Sequence, residues 1–242
     1  MNELVIGIRE RYTRICREIE DAARRCGREP GEVKLVVVSK AQPIDVIQAA
    51  IEAGVRTFGE NYAEEAVEKM KQIKATENLS WHMIGHVQSR KSGLVAGAFD
   101  YLHSLDSLHL AQRLNQALAA VQKSMPVLLE MNVSGEESKF GWPAWDEANW
   151  DRLVPELDQL QQFSNLIPTG LMTMPPLMGA SEMARPFFGR LGRLRDFLAW
   201  KLPNFKWTEL SMGTSADYII AVEEGATFVR VGQAILGPRP VR

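Results

Sequence analysis

The sequence predicts a single (β/α)8 TIM-type barrel with an extra N-terminal helix, one domain over residues 1–242. Three observations carry this. Short apolar runs alternate with segments of helical periodicity along almost the whole chain. The alternation gives eight strands, the number that closes a barrel. The chain is 242 residues long, close to the about 250 that such a barrel needs. Alternation implies parallel pairing through right-handed crossovers. An open doubly wound sheet is the architectural alternative.

In the first 25 residues, Ile8, Tyr12, Ile15, Ile19 and Ala22 recur at helical spacing. Lys34–Ser39 is a continuous apolar run, the mark of a strand buried on both faces. Pro43 then opens a helix that Gly54 ends. Further strands are predicted at Thr57–Gly59, Trp81–Ile84, Tyr101–Leu105, Val127–Val133, Pro168–Thr173, Thr208–Met212 and Thr227–Val231. Helices between them are predicted at Tyr62–Ile73, Ser89–Val95, Leu108–Val121, Pro143–Gln161, Met183–Trp200 and Ala216–Glu223.

The formal net charge of −2 offers no basic excess for nucleic acid. Cys16 and Cys26 have no metal-ligand or disulfide-framework pattern, and read as reduced thiols. No apolar run approaches the roughly 20 residues of a membrane span, and no signal core opens the chain. A cytoplasmic monomer is expected. His82, His86, His103 and His109 lack partners at metal-ligand spacing. Trp142, Trp145 and Trp150 read as a lid or helix anchor.

Barrels gather function at the C-terminal ends of their strands. Those exits here are polar and glycine-rich: Ser39–Lys40, Gly59–Asn61, Gly85–His86, Ser104–Asp106, Asn132–Ser134, Met172–Pro175, Ser211–Ser215 and Gly232–Gln233. Lys40 ends the most apolar strand, so it is either a lysine reaching solvent or an amine activated by partial burial. The loops holding Ser211, Gly213, Thr214, Ser215, Gly232 and Gln233 have the composition of a phosphate site, with hydroxyls, close-approach glycines and exposed backbone N–H groups. Ser215 alternatively caps the next helix. Arg230, inside a strand, needs either an ion-pair partner or a ligand to face. Asn61 reads as a helix cap or a site residue, and His82 as a core histidine or a site residue.

Val37–Lys40 followed by Pro43, the run Phe58–Tyr62, the run Trp81–Gly85 with Gln88, Ser89 and Lys91, Ser138–Lys139, Gly170–Met172, Ser211–Gly213 with Ser215 and Asp217, and Arg230–Gly232 stand in a telling order. Together they resemble the pyridoxal phosphate homeostasis proteins, whose fold is similar to the N-terminal barrel of bacterial alanine racemase. The resemblance implies that pyridoxal 5′-phosphate is held as an aldimine on Lys40, with Arg230 facing the ring nitrogen. It further implies Ser211, Gly213, Ser215 and Gly232 around the phosphate, and Asn61, His82 and Met172 along the ring. The implied role is vitamin B6 and amino-acid homeostasis without established turnover, with apo-enzymes as acceptors. An amino-acid racemase is the alternative, and a Schiff-base aldolase a more distant one. Ala41, Gln42, His86, Arg90, Thr214 and Gln233 depart from the family pattern.

Overall fold

A computed structural model describes residues 2–73, 78–176 and 179–239. Eight parallel strands close the barrel: β1 (Lys34–Val38), β2 (Thr57–Glu60), β3 (Ser80–Met83), β4 (Tyr101–Leu105), β5 (Met125–Asn132), β7 (Leu166–Met172), β8 (Glu209–Ser211) and β9 (Phe228–Val231). They follow one another around the ring in chain order, and β9 pairs with β1 to close it. The two-residue strand β6 (Trp142–Pro143) adds to the end of β5. Two ladders carry register faults: β4–β5 between Leu102 and Leu105, and β5–β7 between Val127 and Leu128.

Helix α1 (Glu3–Arg25) precedes the barrel and buries Val5, Ile8, Ile15, Ile19 and Ala22. Around the ring lie α2 (Ile44–Glu52), α3 (Ala63–Gln72), α4 (Ser92–Ala98), α5 (Leu108–Ala120), α6 (Val154–Asp158), α7 (Arg185–Lys201), α8 (Tyr218–Glu223) and α9 (Gln233–Leu236). Side chains two apart on a strand share a face. Val36, Leu128, Met172 and Phe228 cluster together, while Val37, Leu129, Leu171 and Val229 join the separate core that includes the helices. The first set fills the barrel. Its parity carries upward to Lys40, Glu130 and Arg230 at the C-terminal rim.

Two expectations are corrected. The predicted helix Pro143–Gln161 is β6, a 3-10 stretch over Glu147–Arg152, the short α6 and a 3-10 turn over Gln159–Gln162. Asp146 accepts from the Ala148 N–H, and the Trp150 indole donates to the Ala144 carbonyl. These local bonds compete with a continuous helix. The predicted helix at Ala216 starts only at Tyr218, with Asp217 in the cap position, so Ser215 does not cap it. Helix α9 was not anticipated.

Trp142 and Trp150 are buried anchors of the segment after β5, and Trp145 is exposed. At the start of α5, Ser107 accepts from the Leu110 N–H at 3.3 Å. Ser107→Ala is expected to cost about 1 kcal/mol, read as a lowered urea midpoint with an unchanged m-value.

Candidate functional site

A cavity of about 470 Å³ opens at the rim where the strands end, and its wall includes Lys40, Asn61, Glu130, Ser215, Arg230 and Gly232. Glycines let its walls approach. A Cβ on Gly232 would lie 3.0 Å from the Val38 carbonyl oxygen, and one on Gly85 would lie 2.4 Å from that of Asn61.

Lys40 stands on a turn that is pinned from below. Ser39 donates through its hydroxyl to Glu60 Oε1 at 2.7 Å. The Lys69 ammonium donates to the same oxygen and to the Ser39 carbonyl, both at 2.9 Å. It also pairs with Glu65 Oε1 at 2.7 Å, which in turn accepts from the Ala41 N–H at 2.7 Å. Ala41 has a φ of 55°, the left-handed region that a Cβ disfavours, so this bond holds a strained residue in place. Burial lowers the Lys40 pKa, and Arg239 lowers it further, against a smaller opposing effect from Glu60. More of its amine is therefore free to react with a carbonyl.

Arg230 is buried, and no carboxylate among the described residues forms an ion pair with it, which removes the ion-pair reading. Its guanidinium donates to Ser211 Oγ at 2.5 Å and to the Thr173 carbonyl at 2.9 Å. Burial brings its pKa down to about 10.

Behind Ser211 a hydrogen-bonded chain runs down the barrel. His103 Nδ1 meets Ser211 Oγ at 2.8 Å, His103 Nε2 meets His82 Nδ1 at 2.9 Å, and His82 Nε2 meets Ser80 Oγ at 3.0 Å. A guanidinium can only donate. Ser211 therefore accepts from Arg230, and its O–H is free to donate to His103 Nδ1, with His103 Nε2–H then donating to His82 and His82 Nε2–H to Ser80. Each histidine is then a neutral tautomer with one donor and one acceptor satisfied. Burial pushes His82 down to about 4, with Lys34 adding, and pushes His103 well below its ordinary value.

Groups depressed by folding contribute stability above their unfolded value and lose it as pH falls through the folded one. Urea stability is expected to drop from pH 6.5 towards 4, by about 2 kcal/mol more than in His82→Gln.

Of the residues singled out from sequence, Lys40, Asn61, Thr214, Ser215, Arg230, Gly232 and Gln233 line the cavity. His82, Met172, Ser211 and Gly213 do not. His82 and Ser211 belong to the buried chain, and Met172 packs in the barrel interior. Gly213, at φ 91°, lets the loop turn back over α8, where a Cβ would lie 2.5 Å from that of Ala221. The Thr214 N–H and hydroxyl are both taken by Asp217 Oδ1. Ser215 Oγ accepts from the Gly232 N–H at 3.3 Å, joining the two loops.

Sequence reasoning did not single out Glu130, Phe140, Arg239 or the Lys69 network. Glu130 carried a legible signal, being a carboxylate with the parity of Leu128 in an otherwise apolar strand. Burial pushes it up to about 7, with Asp106 adding.

The alanine racemase N-terminal domain family matches residues 13–240. A pyridoxal phosphate homeostasis protein of Vibrio alginolyticus is 37% identical over 235 residues, covering 96% of this chain and 97% of its own. One of Escherichia coli K12 is 39% identical over 224 residues, 92% of each chain. Among solved structures, PipY of Synechococcus elongatus with pyridoxal phosphate bound is 33% identical, with a TM-score of 0.81 over 95% of this chain and 100% of that one. An alanine racemase of Clostridium difficile is similar in fold, at 15% identity and a TM-score of 0.69, over 97% of this chain and 57% of that one.

Proposed function

The chain belongs to the pyridoxal phosphate homeostasis proteins, on the barrel of the alanine racemase N-terminal domain, and from that membership we propose that it binds pyridoxal 5′-phosphate in the rim cavity and serves vitamin B6 and amino-acid homeostasis. One observation carries the reading beyond the family: a half-buried amine, a buried guanidinium and an amide oxygen, the last two without carboxylate or hydrogen-bond partner respectively among the described residues, meet in one cavity.

The donor set fits the group. Asn61 Oδ1 is buried without a hydrogen-bond partner among the described residues, as suits an acceptor for a ring hydroxyl. Lys40 would supply the amine for the aldehyde. Arg230 would donate to the ring nitrogen without giving up its proton. The loops of Ser215, Gly232 and Gln233 would hold the phosphate, and Thr214 would shape that loop through Asp217. Ser211 and His82 would act at one remove, by fixing Arg230. Met172 would support the floor of the site. When bound, the cofactor supplies an electrophilic carbon for primary amines.

No helix among the described residues is long and apolar enough to cross a membrane. The reading extends to a cytoplasmic monomer, a single barrel domain over residues 1–242, that hands its cofactor to apo-enzymes.

The test is to add pyridoxal phosphate to the purified chain, follow the visible absorption, reduce with borohydride and map the added mass. A new band and a mass increase on the Lys40 peptide are expected. No band and no mass increase would overturn the reading.

A further inference from the structure

The end of the cavity away from Ser215 and Gly232 has different chemistry. His86 follows β3, Asp106 follows β4, Glu130 lies two residues before the end of β5 and Phe140 lies in the loop beyond. His86 Nδ1 meets Asp106 Oδ2 at 2.8 Å, and the imidazole stacks on Phe140 with centroids 3.8 Å apart and planes at 12°. With Nδ1–H donated to Asp106, Nε2 keeps its lone pair. Among the described residues nothing bonds to Nε2, and His86 lines the cavity. The Glu130 carboxyl lines the same cavity and has no hydrogen bond or ion pair among the described residues. Asp106 and Lys139 are the charges that act on it from nearby, besides Arg230.

The cavity is therefore segregated by charge. Lys40, Arg230 and Arg239 lie towards β1 and β9, while Glu130 and the acid of the His86 pair lie towards β4 and β5. Asp217, the acid on the cationic side, is tied to Thr214. An anionic phosphate suits the first region, and a primary ammonium suits the second. In an eight-stranded ring β5 stands opposite β1, so the ammonium region faces Lys40 across the mouth.

We propose that His86, Asp106, Phe140 and Glu130 form a subsite for an incoming primary ammonium, and that His86 Nε2 takes its proton so that the freed amine can replace Lys40 on the cofactor. The inference rests on the cofactor-binding reading above. An ammonium has no lone pair and cannot attack. Transfer of one proton to Nε2 gives a neutral amine and an imidazolium, stabilised by Asp106 and by the face of Phe140. The incoming nitrogen makes the carbon–nitrogen bond that Lys40 gives up. Lys40 leaves carrying the nitrogen proton in exchange, so charge and oxidation state are unchanged.

The test uses two amine probes on the cofactor-loaded chain at neutral pH, with displacement from Lys40 followed by absorption. n-Butylamine is protonated at that pH, and methoxyamine is not. His86→Gln keeps a donor for Asp106 but removes the base. It is expected to slow displacement by n-butylamine about 100-fold while leaving methoxyamine unchanged. Glu130→Gln is expected to raise the n-butylamine concentration needed for half-maximal rate several-fold. An unchanged n-butylamine rate in His86→Gln, or equal slowing with both probes, would overturn the proposal. Failure of the unaltered chain to take up pyridoxal phosphate would count against the cofactor reading instead. The subsite is then decided on the cofactor-free chain: n-butylammonium that shifts the His86 ring resonances supports it, and resonances that stay put overturn it.

Discussion

Lys40→Ala is expected to abolish borohydride-fixed cofactor completely while leaving the fold standing. Among the described residues the Lys40 ammonium makes no hydrogen bond or ion pair. Its pKa is lowered by burial and by the positive charges of Arg239 and Arg230, so its removal relieves repulsion at the rim. Thermal unfolding should stay within about 0.5 kcal/mol of the parent. The check is an intact-mass measurement after reduction, paired with a melt. Mass fixed on another lysine in the variant would show that Lys40 is not the bonding amine.

Lys69→Met is expected to produce the largest loss of stability. Its ammonium joins Glu60 and Glu65 beneath the Lys40 turn, and Glu60 is 0% exposed. Removing one partner of a buried pair costs about 3–5 kcal/mol, because the other charge remains in a dry interior. Burial already raises the Glu60 pKa, with Lys69 pulling against it. Without Lys69 the folded value rises further. A group raised on folding keeps its contribution below its unfolded value and loses it as pH rises through the folded one. The deficit should thus be large at pH 8 and smaller near pH 4, in urea unfolding at both. Glu60→Gln in the same background should recover part of it. A deficit independent of pH would rule out the charge account. Cofactor retention should weaken as well, since the strained Ala41 is held by Glu65, a member of this network.

The strands were legible because each is a compact apolar run ending in polar or glycine residues. The site residues near such ends, Lys40, Asn61, Arg230 and Gly232, were legible for the same reason. What stayed hidden depends on ring closure. Lys69 is nine residues from Glu60 on a helix, and its ammonium reads as solvated until α3 is laid against the barrel. Glu130 comes within reach of the Asp106 charge because β4 and β5 are neighbours. The segment Pro143–Gln161 misled because Asp146 accepts from Ala148 and Trp150 donates to Ala144, local bonds that periodicity cannot register. His82 stood in a conspicuous motif, yet strand parity turns it inward to His103.

The ladder faults on both sides of β5 bear on kinetics. Across the ring, β1 runs in unbroken register with β9 from Lys34↔Phe228 to Val37↔Val231. Strands with broken ladders open locally at lower cost than strands in continuous register. Backbone amides around Val127–Leu129, where both faults fall, should therefore exchange with deuterium sooner than those of β1. The wall that carries Glu130 is then the looser one below the rim and the wall that carries Lys40 the stiffer, so that local opening and rigidity are set on opposite sides of the same ring.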